Sequence, residues 1–444
     1  MKISYNWLCE LLPVKPKPEE LSVILTSIGL EVESLEKYEE VKGNLEGLLI
    51  GEVLEVKPHP NADKLKITKV NTGGNEPLNI VCGASNVAEG QKVVVATIGT
   101  TIYPTGKAPL TMKAARIRGE ESQGMICAED EIGLGGSHAG IMVLNHGAEP
   151  GMTAKEYFQP AEDWIYEIGL TPNRMDAMSH LGVARDVCAW LSNHNGKVVK
   201  PVIQPVDNFK VDDQSLKFIV QVENVKDCPR YSGISLNNVK VAESPVWLKR
   251  KLKAIGIRPI NNVVDITNYI LNECGQPLHA FDGDRIAGKK VIVKNLPQGS
   301  PFVTLDAKER KLDAKDLMIC DEKGGMCIAG VFGGLHSGVS DKTTHIFLES
   351  ACFNPIAVRR TSFRHDLRTD AAMRFEKGVD ISGVIYGLKR AAELMKTLCG
   401  ATISSEITDV YPHPAPKKIV TLSFEFLKRL SGKAYQPQKV KLIL

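Results

Sequence analysis

The sequence predicts an α+β multidomain chain in which a small β-barrel is inserted between helical pieces and a larger α+β unit follows. Three observations carry this expectation. The 444 residues exceed what one hydrophobic core usually supports. From about Gly47 to about Gly147 the texture is one of short β-branched runs separated by Gly, Pro and Asn turns, without helical crossovers. On both sides of that stretch the apolar residues return to a helical spacing, at 18–28 and at 179–196.

Each element has its own local reason. Pro18 at a first helical position, Glu19 and Glu20 in the first turn, the stripe Leu21, Ile24, Leu25, Ile28 and the terminator Gly29 predict a short helix. The runs Leu48–Val56, Leu65–Val70, Leu78–Val81 and Val93–Ile98 predict strands, and their spacing favours a closed barrel of the oligonucleotide-binding type (an OB-fold). Ser179 can cap the next helix, striped by Leu181, Ala184, Cys188 and Leu191 and ended by Asn195-Gly196. Val199–Gln214, rich in Pro, Val and Asp, reads as a linker. Beyond it, strands are expected near Phe218–Val222, Val291–Leu296 and Ile346–Leu348. Helices are expected from Ser244-Pro245 to Gly256 and along the stripe Val384 to Leu398, ended by Gly400. That order suggests a mainly antiparallel sheet. After Tyr411–Pro416, a strand at Ile419–Phe424 and a helix at Glu425–Leu430 would begin a further domain, which stops inside an apolar run at Leu444 and so reads as truncated. The expected domains are 1–40 with 150–200, 41–149, 210–407 and 408–444.

Composition excludes more than it identifies. Hydrophobic residues at 43%, charged at 24% and aromatic at 6% describe an ordinary globular protein, and a net charge of +3 announces no nucleic-acid partner, so any such contact must be local. The ten cysteines form no C-x-x-C pair and no zinc-like cluster, which favours reduced thiols and no metal site. The N-terminus lacks a signal-peptide pattern and no run approaches about twenty apolar residues, so a cytoplasmic, membrane-free protein is expected.

Three constellations could carry chemistry. In the barrel, Lys57, Lys64, Lys66 and Lys69 surround Pro58-His59-Pro60-Asn61-Ala62-Asp63, with Lys113, Arg116 and Arg118 further on; they could displace phosphate counterions or form a solvated face, since acids outnumber bases over 47–149. Arg258 could hold a phosphate or carboxylate, and Thr267, Asn268 and His279 supply short polar groups, each of which singly is more often structural. Ile328–Gly334 lets backbone approach a ligand, and Glu349 stands at the end of an apolar strand, where a carboxylate needs a donor; the alternative is a turn followed by a helix capped by Asn354. Between Pro355 and Gly378 six cations outnumber three acids, fitting either an RNA backbone or a solvated helix face.

Pro58–Leu65, Val81–Asn86 and Ser122–Cys127 together resemble the tRNA-binding module shared by several synthetases and stand-alone tRNA-binding factors. With Leu170–Arg174, Ser179–Gly182, Arg258–Tyr269, Gly275–Asp282 and Leu348–Pro355, the whole chain resembles the β subunit of bacterial phenylalanyl-tRNA synthetases. That resemblance implies a tRNA-binding barrel and an editing domain that hydrolyses tyrosine misattached to phenylalanine tRNA. It implies that Glu349 accepts a hydrogen bond from the tyrosine hydroxyl, with Arg258, Gly330 and Ala371 binding substrate and His279, Thr267, Asn268 and Thr369 around the reacting ester. No Ser-His-Asp or Cys-His nucleophile is evident, so water is the implied attacker. Lys57, Lys64, Lys66, Arg116 and Arg118 become the implied tRNA contacts. For the whole enzyme the family implies ATP and Mg²⁺, a separate α subunit that activates the amino acid, and an α2β2 heterotetramer; for this piece it implies no cofactor and no aminoacylation. A non-enzymatic tRNA-binding scaffold and a stand-alone trans-editing deacylase are the competing readings.

Overall fold

The computed structural model describes residues 1–145 and 147–444. They form two compact units, one of residues 37–163 and the other of 1–36 with 164–444.

The chain starts with β1 (Lys2–Ser4) and α1 (Tyr5–Glu10), where the Ser4 hydroxyl caps Trp7 N–H, and continues into α2 (Pro18–Ser27) and β2 (Glu31–Glu39). Pro18 does open α2, as its fixed φ and missing N–H suit it to do.

The 37–163 unit is built on four strands: β3 (Leu48–His59), β4 (Ala62–Asn71), β5 (Leu78–Cys82) and β6 (Lys92–Thr97). β3 lies between β4 and β6, β4 pairs with β5, and every pairing is antiparallel. A hairpin of β7 (Ala115–Ile117) and β8 (Glu120–Ser122) leads into β9 (Gly124–Ile126), which pairs with β6. Gln123 exchanges two hydrogen bonds with the backbone of Asn79 on β5, at 2.8 and 3.0 Å, nearly closing the sheet into a barrel. Both faces of β6 are buried: Val93 and Val95 enter one apolar cluster, Val94 and Ala96 the other. That is why its sequence reads as a continuous apolar run rather than an alternating one.

In the larger unit, β10 (Glu162–Gly169) lies between β1 and β2, and α3 (His180–Asn195) starts at the Ser179 cap and ends at left-handed Gly196. One sheet contains β11 (Ile219–Val222), β14 (Lys290–Asn295), β15 (Leu317–Cys320) and β16 (Gly325–Ile328). The other contains β12 (Arg230–Asn237), β13 (Leu278–Asp282) and β17 (Ile346–Cys352), with β17 in the middle. All these pairings are antiparallel except β11 with β14. Helices α4 (Val246–Ala254), α5 (Asn262–Cys274), α6 (Pro355–His365), α7 (Asp370–Lys377) and α8 (Val384–Cys399) complete the unit.

The pleat of β17 sorts two cores. Phe347 and Ala351 face a cluster that contains Met318, Cys327 and Ile328 from the other sheet, while Ile346 and Leu348 face Ile266, Ile270, Leu388 and Ala391 of α5 and α8. Two expectations are corrected. Residues 419–423 form no strand: Ile419 and Val420 are almost fully exposed and lie in no sheet, while the expected helix does form, from Phe424 to Ser431. β17 extends four residues beyond Leu348, because Ser350, Ala351 and Cys352 find partners on β12, so Glu349 is central in the strand rather than at its end.

Candidate functional site

Glu349 is held by register. It is the Cα partner of His279 on β13 and of Gly233 on β12, so in the antiparallel pleat its side chain and that of His279 leave the same face, with Cβ atoms roughly 5 Å apart. That is the face of Phe347 and Ala351, the inside of the two-sheet core. The Glu349 residue is only 5% exposed, and Oε2 accepts a 2.7 Å hydrogen bond from the Tyr231 hydroxyl. Burial pushes the carboxyl up to about 7, against the lowering effect of that hydrogen bond. The same carboxylate adds to the burial that raises the thiols of Cys228 and Cys327 and the phenol of Tyr231, which places those groups around it.

His279 stands beside it in a different state. The residue is half-buried as a whole; its ring packs edge-on against Phe281 at 4.4 Å, and its enclosed Nε2 has no hydrogen-bond partner. Burial lowers the imidazole to about 4, so it is neutral at pH 7. A neutral ring with an unmatched nitrogen facing inward is suited to bind a polar group that enters.

A glycine loop forms another wall. Gly330 has φ +67, and a Cβ there would lie 2.8 Å from Phe353 and 2.9 Å from Phe375; at Gly333 it would lie 3.2 Å from His279 Cε1. Thr369 ties this loop to α7: its hydroxyl donates to Val331 O at 2.8 Å and accepts from Ala372 N–H. Ala371 packs against the same cluster. Glu349, His279, Gly330, Thr369 and Ala371 therefore border one core region.

The remaining candidates lie elsewhere. Arg258 is exposed in the loop before α5. Thr267 and Asn268 are half-buried on α5, whose buried stripe Val263, Ile266, Tyr269 and Ile270 belongs to the cluster on the other face of the sheet. The Thr267 hydroxyl donates to Val264 O one turn back at 2.7 Å. Sequence reasoning missed Tyr231, which carries no motif, and its contact with Glu349 follows only from strand register.

In the barrel, His59 Nε2 bonds Ile117 O at 3.0 Å and Asn61 Nδ2 donates to Arg118 O, fastening the β3–β4 turn to the β7–β8 hairpin. Lys64, Arg116 and Arg118 are exposed around this junction. Lys57 and Lys69 share Glu55, and the Lys66 ammonium donates to Ser85 O and Val87 O. Next to the hairpin lies a cavity of about 1150 Å³ lined by Val81, Cys82, Ala84, Ser122, Met125 and Ile126, among others. Among the described residues no group of three or more His, Cys, Asp or Glu side chains could hold a metal ion, and no helix is long and apolar enough to cross a membrane.

Comparison with known proteins matches the two regions separately. Residues 48–153 match the family described as a putative tRNA binding domain, and residues 227–400 match the B3/4 domain. The chain is 54% identical over 444 residues to the phenylalanine-tRNA ligase beta subunit of Bacteroides thetaiotaomicron, covering 100% of this chain and 54% of the relative. It is 51% identical to that of Porphyromonas gingivalis and 41% identical to that of Geobacter sulfurreducens, each with 100% of this chain and 54% of the relative covered. The chain thus spans about half the length of the curated relatives it matches.

Proposed function

Because the chain belongs with the phenylalanine-tRNA ligase beta subunits over its whole length, we propose that it is the part of such a subunit that grips tRNA and hydrolyses tyrosine wrongly esterified to phenylalanine tRNA. The observation that carries the reading is the buried Glu349 carboxylate on the same face of the sheet as its cross-strand partner His279. A pocket that recognises the phenylalanine ring rejects the same ring with an added hydroxyl by only roughly a hundredfold, so a second site must discriminate by the opposite preference. Glu349 supplies it: Tyr231 takes one of the carboxylate's lone-pair positions and the others can accept a substrate phenol, whereas a phenylalanine ring leaves them unmet.

Hydrolysis needs a water oxygen to attack the ester carbonyl carbon and the bond to the ribose oxygen to break, releasing tyrosine and a tRNA whose hydroxyl takes up the proton. Neutral His279, with its buried and unpaired Nε2, orients ester and water. Thr369 holds the glycine wall in place, since its own proton is committed to Val331 O. Gly330 and Ala371 shape the apolar side, while Arg258, Thr267 and Asn268, which lie away from this region, take no part in the step. In the barrel, an OB-fold in this reading, Lys64, Arg116 and Arg118 contact the tRNA backbone, with Lys57 and Lys66 supporting them. Attachment of phenylalanine with ATP and Mg²⁺ belongs to the whole cytoplasmic enzyme with its α subunit, in an α2β2 assembly.

Incubating the chain with tyrosyl and phenylalanyl esters of phenylalanine tRNA tests this directly. Release of tyrosine well above the phenylalanine rate is expected. Tight tRNA binding without release of either amino acid would leave the non-enzymatic scaffold, and tyrosine release by this chain that excludes any complex with an α subunit would leave the stand-alone deacylase.

A further inference from the structure

Helix α6 connects two parts of the site just described: it starts six residues after Glu349 and ends four before Thr369. Its inner residues Val358, Thr361, Ser362 and His365 are buried, and Val358 packs in the same cluster as Tyr231 and Phe347. The outer stripe is unusual. Ile356 is 62% exposed and Phe363 60%, at i and i+7, with Arg359 and Arg360 between them.

The cations of this segment are not equivalent. Arg364 is engaged with Asp316, Arg368 clamps Glu376 through two hydrogen bonds at 2.8 and 2.9 Å, and buried Arg374 donates to Met178 O. Arg359 and Arg360 are exposed and reach no carboxylate among the described residues. The Phe363 ring has the Arg368 guanidinium 4.8 Å from its centroid and that of Arg359 at 5.7 Å. Ile356, Arg359, Arg360, Phe363 and Arg364 line an open groove of about 590 Å³.

We propose that this outer face of α6 is the docking surface for the unpaired 3′ end of the RNA whose ester enters the Glu349 chamber, with Phe363 stacking a base and Arg359 and Arg360 holding phosphates. The inference rests on the editing reading for what the RNA carries but not for the contact itself. An exposed ring flanked by guanidiniums offers a stacking platform, and two free guanidiniums beside it match the charge of a single-stranded backbone.

The test measures the full chain binding a single-stranded RNA oligonucleotide with a tRNA 3′-terminal sequence, by fluorescence anisotropy over a series of salt concentrations. Arg359→Glu with Arg360→Glu should weaken binding about tenfold or more and flatten the salt dependence by about 1.4 in log–log slope, the share of two phosphates on a single strand. Phe363→Ala should weaken it about fivefold or more with the slope unchanged, as loss of stacking does. Melting temperatures matching the parent exclude misfolding, and Phe363→Tyr should restore affinity. Unchanged oligonucleotide affinity in both variants overturns the proposal, as does loss of α-subunit binding in place of RNA binding, which would make this face a protein interface. Weakened RNA binding in a chain that never hydrolyses the tyrosyl ester would sink the editing reading and leave this surface standing.

Discussion

In the barrel, Lys57, Lys69 and Glu55 compensate one another in open solvent, whereas in the larger unit Glu349 is shut between two sheets with a single phenol as donor. Exposed pairs of the first kind contribute little stability and are screened by salt. An enclosed carboxylate is strongly sensitive to what stands next to it. Under the proposed function the contrast locates selectivity: exposed charges on the barrel would discriminate little among polyanions, while the buried carboxylate would distinguish one hydroxyl.

The strongest way to break the contrast is Glu349→Ala. Tyrosine release should fall roughly a thousandfold, about 4 kcal/mol, a value between the roughly hundredfold discrimination of an apolar pocket and the roughly 10⁴-fold of a hydrogen-bonding one. Affinity for tRNA through the barrel should not move. Single-turnover deacylation beside filter binding gives both numbers, and equal losses in the two would remove the division of labour.

Next comes pH. Burial raises Glu349 from 4.5 to about 7, so its contribution to stability is fully present below pH 4.5 and is lost as pH rises through 7. Relative to the parent, Glu349→Gln should therefore gain stability across that window, on the order of 3 kcal/mol. At Glu55 the lysines, Lys57 first, hold the carboxyl below its usual range, so the sign reverses: its contribution is present above pH 4.5 and lost as pH falls. Urea midpoints of both Gln variants from pH 4 to 8 check the pair, and parallel curves would show that Glu349 is solvated after all.

Backbone slack differs in the same direction. Gly330→Ala meets two phenylalanine rings at under 3 Å as well as left-handed φ, and should lose about 2 kcal/mol of stability or more. Gly99 in the barrel has φ +89 but nothing within 4 Å of a Cβ, so Gly99→Ala should lose only about 1 kcal/mol. Similar losses at both positions, read from thermal melts, would mean that the wall beside His279 can yield.

The layout of elements was legible in the sequence wherever a local signal decided it. Ser179 and Asn354 do cap α3 and α6, Gly196 and Gly400 do end their helices, and turn-separated β-branched runs do form a nearly closed barrel. What stayed hidden was non-local. The partnership of Tyr231 with Glu349 depends on registers between residues 118 apart in the chain, and no periodicity encodes that. Hydroxyl function was equally hidden: Thr267 bonds back into its own helix and Thr369 caps the next, two local uses that a sequence cannot distinguish from a binding role. The run Ile419–Phe424 has the local propensity of a strand, but a strand exists only where a neighbour offers its edge, and Ile419 and Val420 stand exposed.

The smallest effect separates two kinds of lysine and arginine within the barrel itself. Arg116 and Arg118 project from the β7–β8 hairpin, and the Arg118 carbonyl, not its side chain, anchors Asn61. Replacing both by Ala should leave the hairpin fastened, lower tRNA affinity severalfold at about 0.15 M salt, and reduce the log–log salt slope by about 2. Lys66 is as cationic as either arginine in the sequence, yet its ammonium ties β4 to the loop after β5 by donating to Ser85 O and Val87 O at 3.2 and 3.0 Å. Lys66→Met should therefore leave the slope unchanged and lower barrel stability by about 1 kcal/mol, the ordinary worth of a hydrogen-bonded group that loses its partner. If Lys66→Met flattens the slope as much as the arginine pair does, its ammonium leaves those carbonyls for a phosphate when RNA arrives, and the barrel's grip is an exchange of internal bonds for external ones rather than a set of charges waiting free.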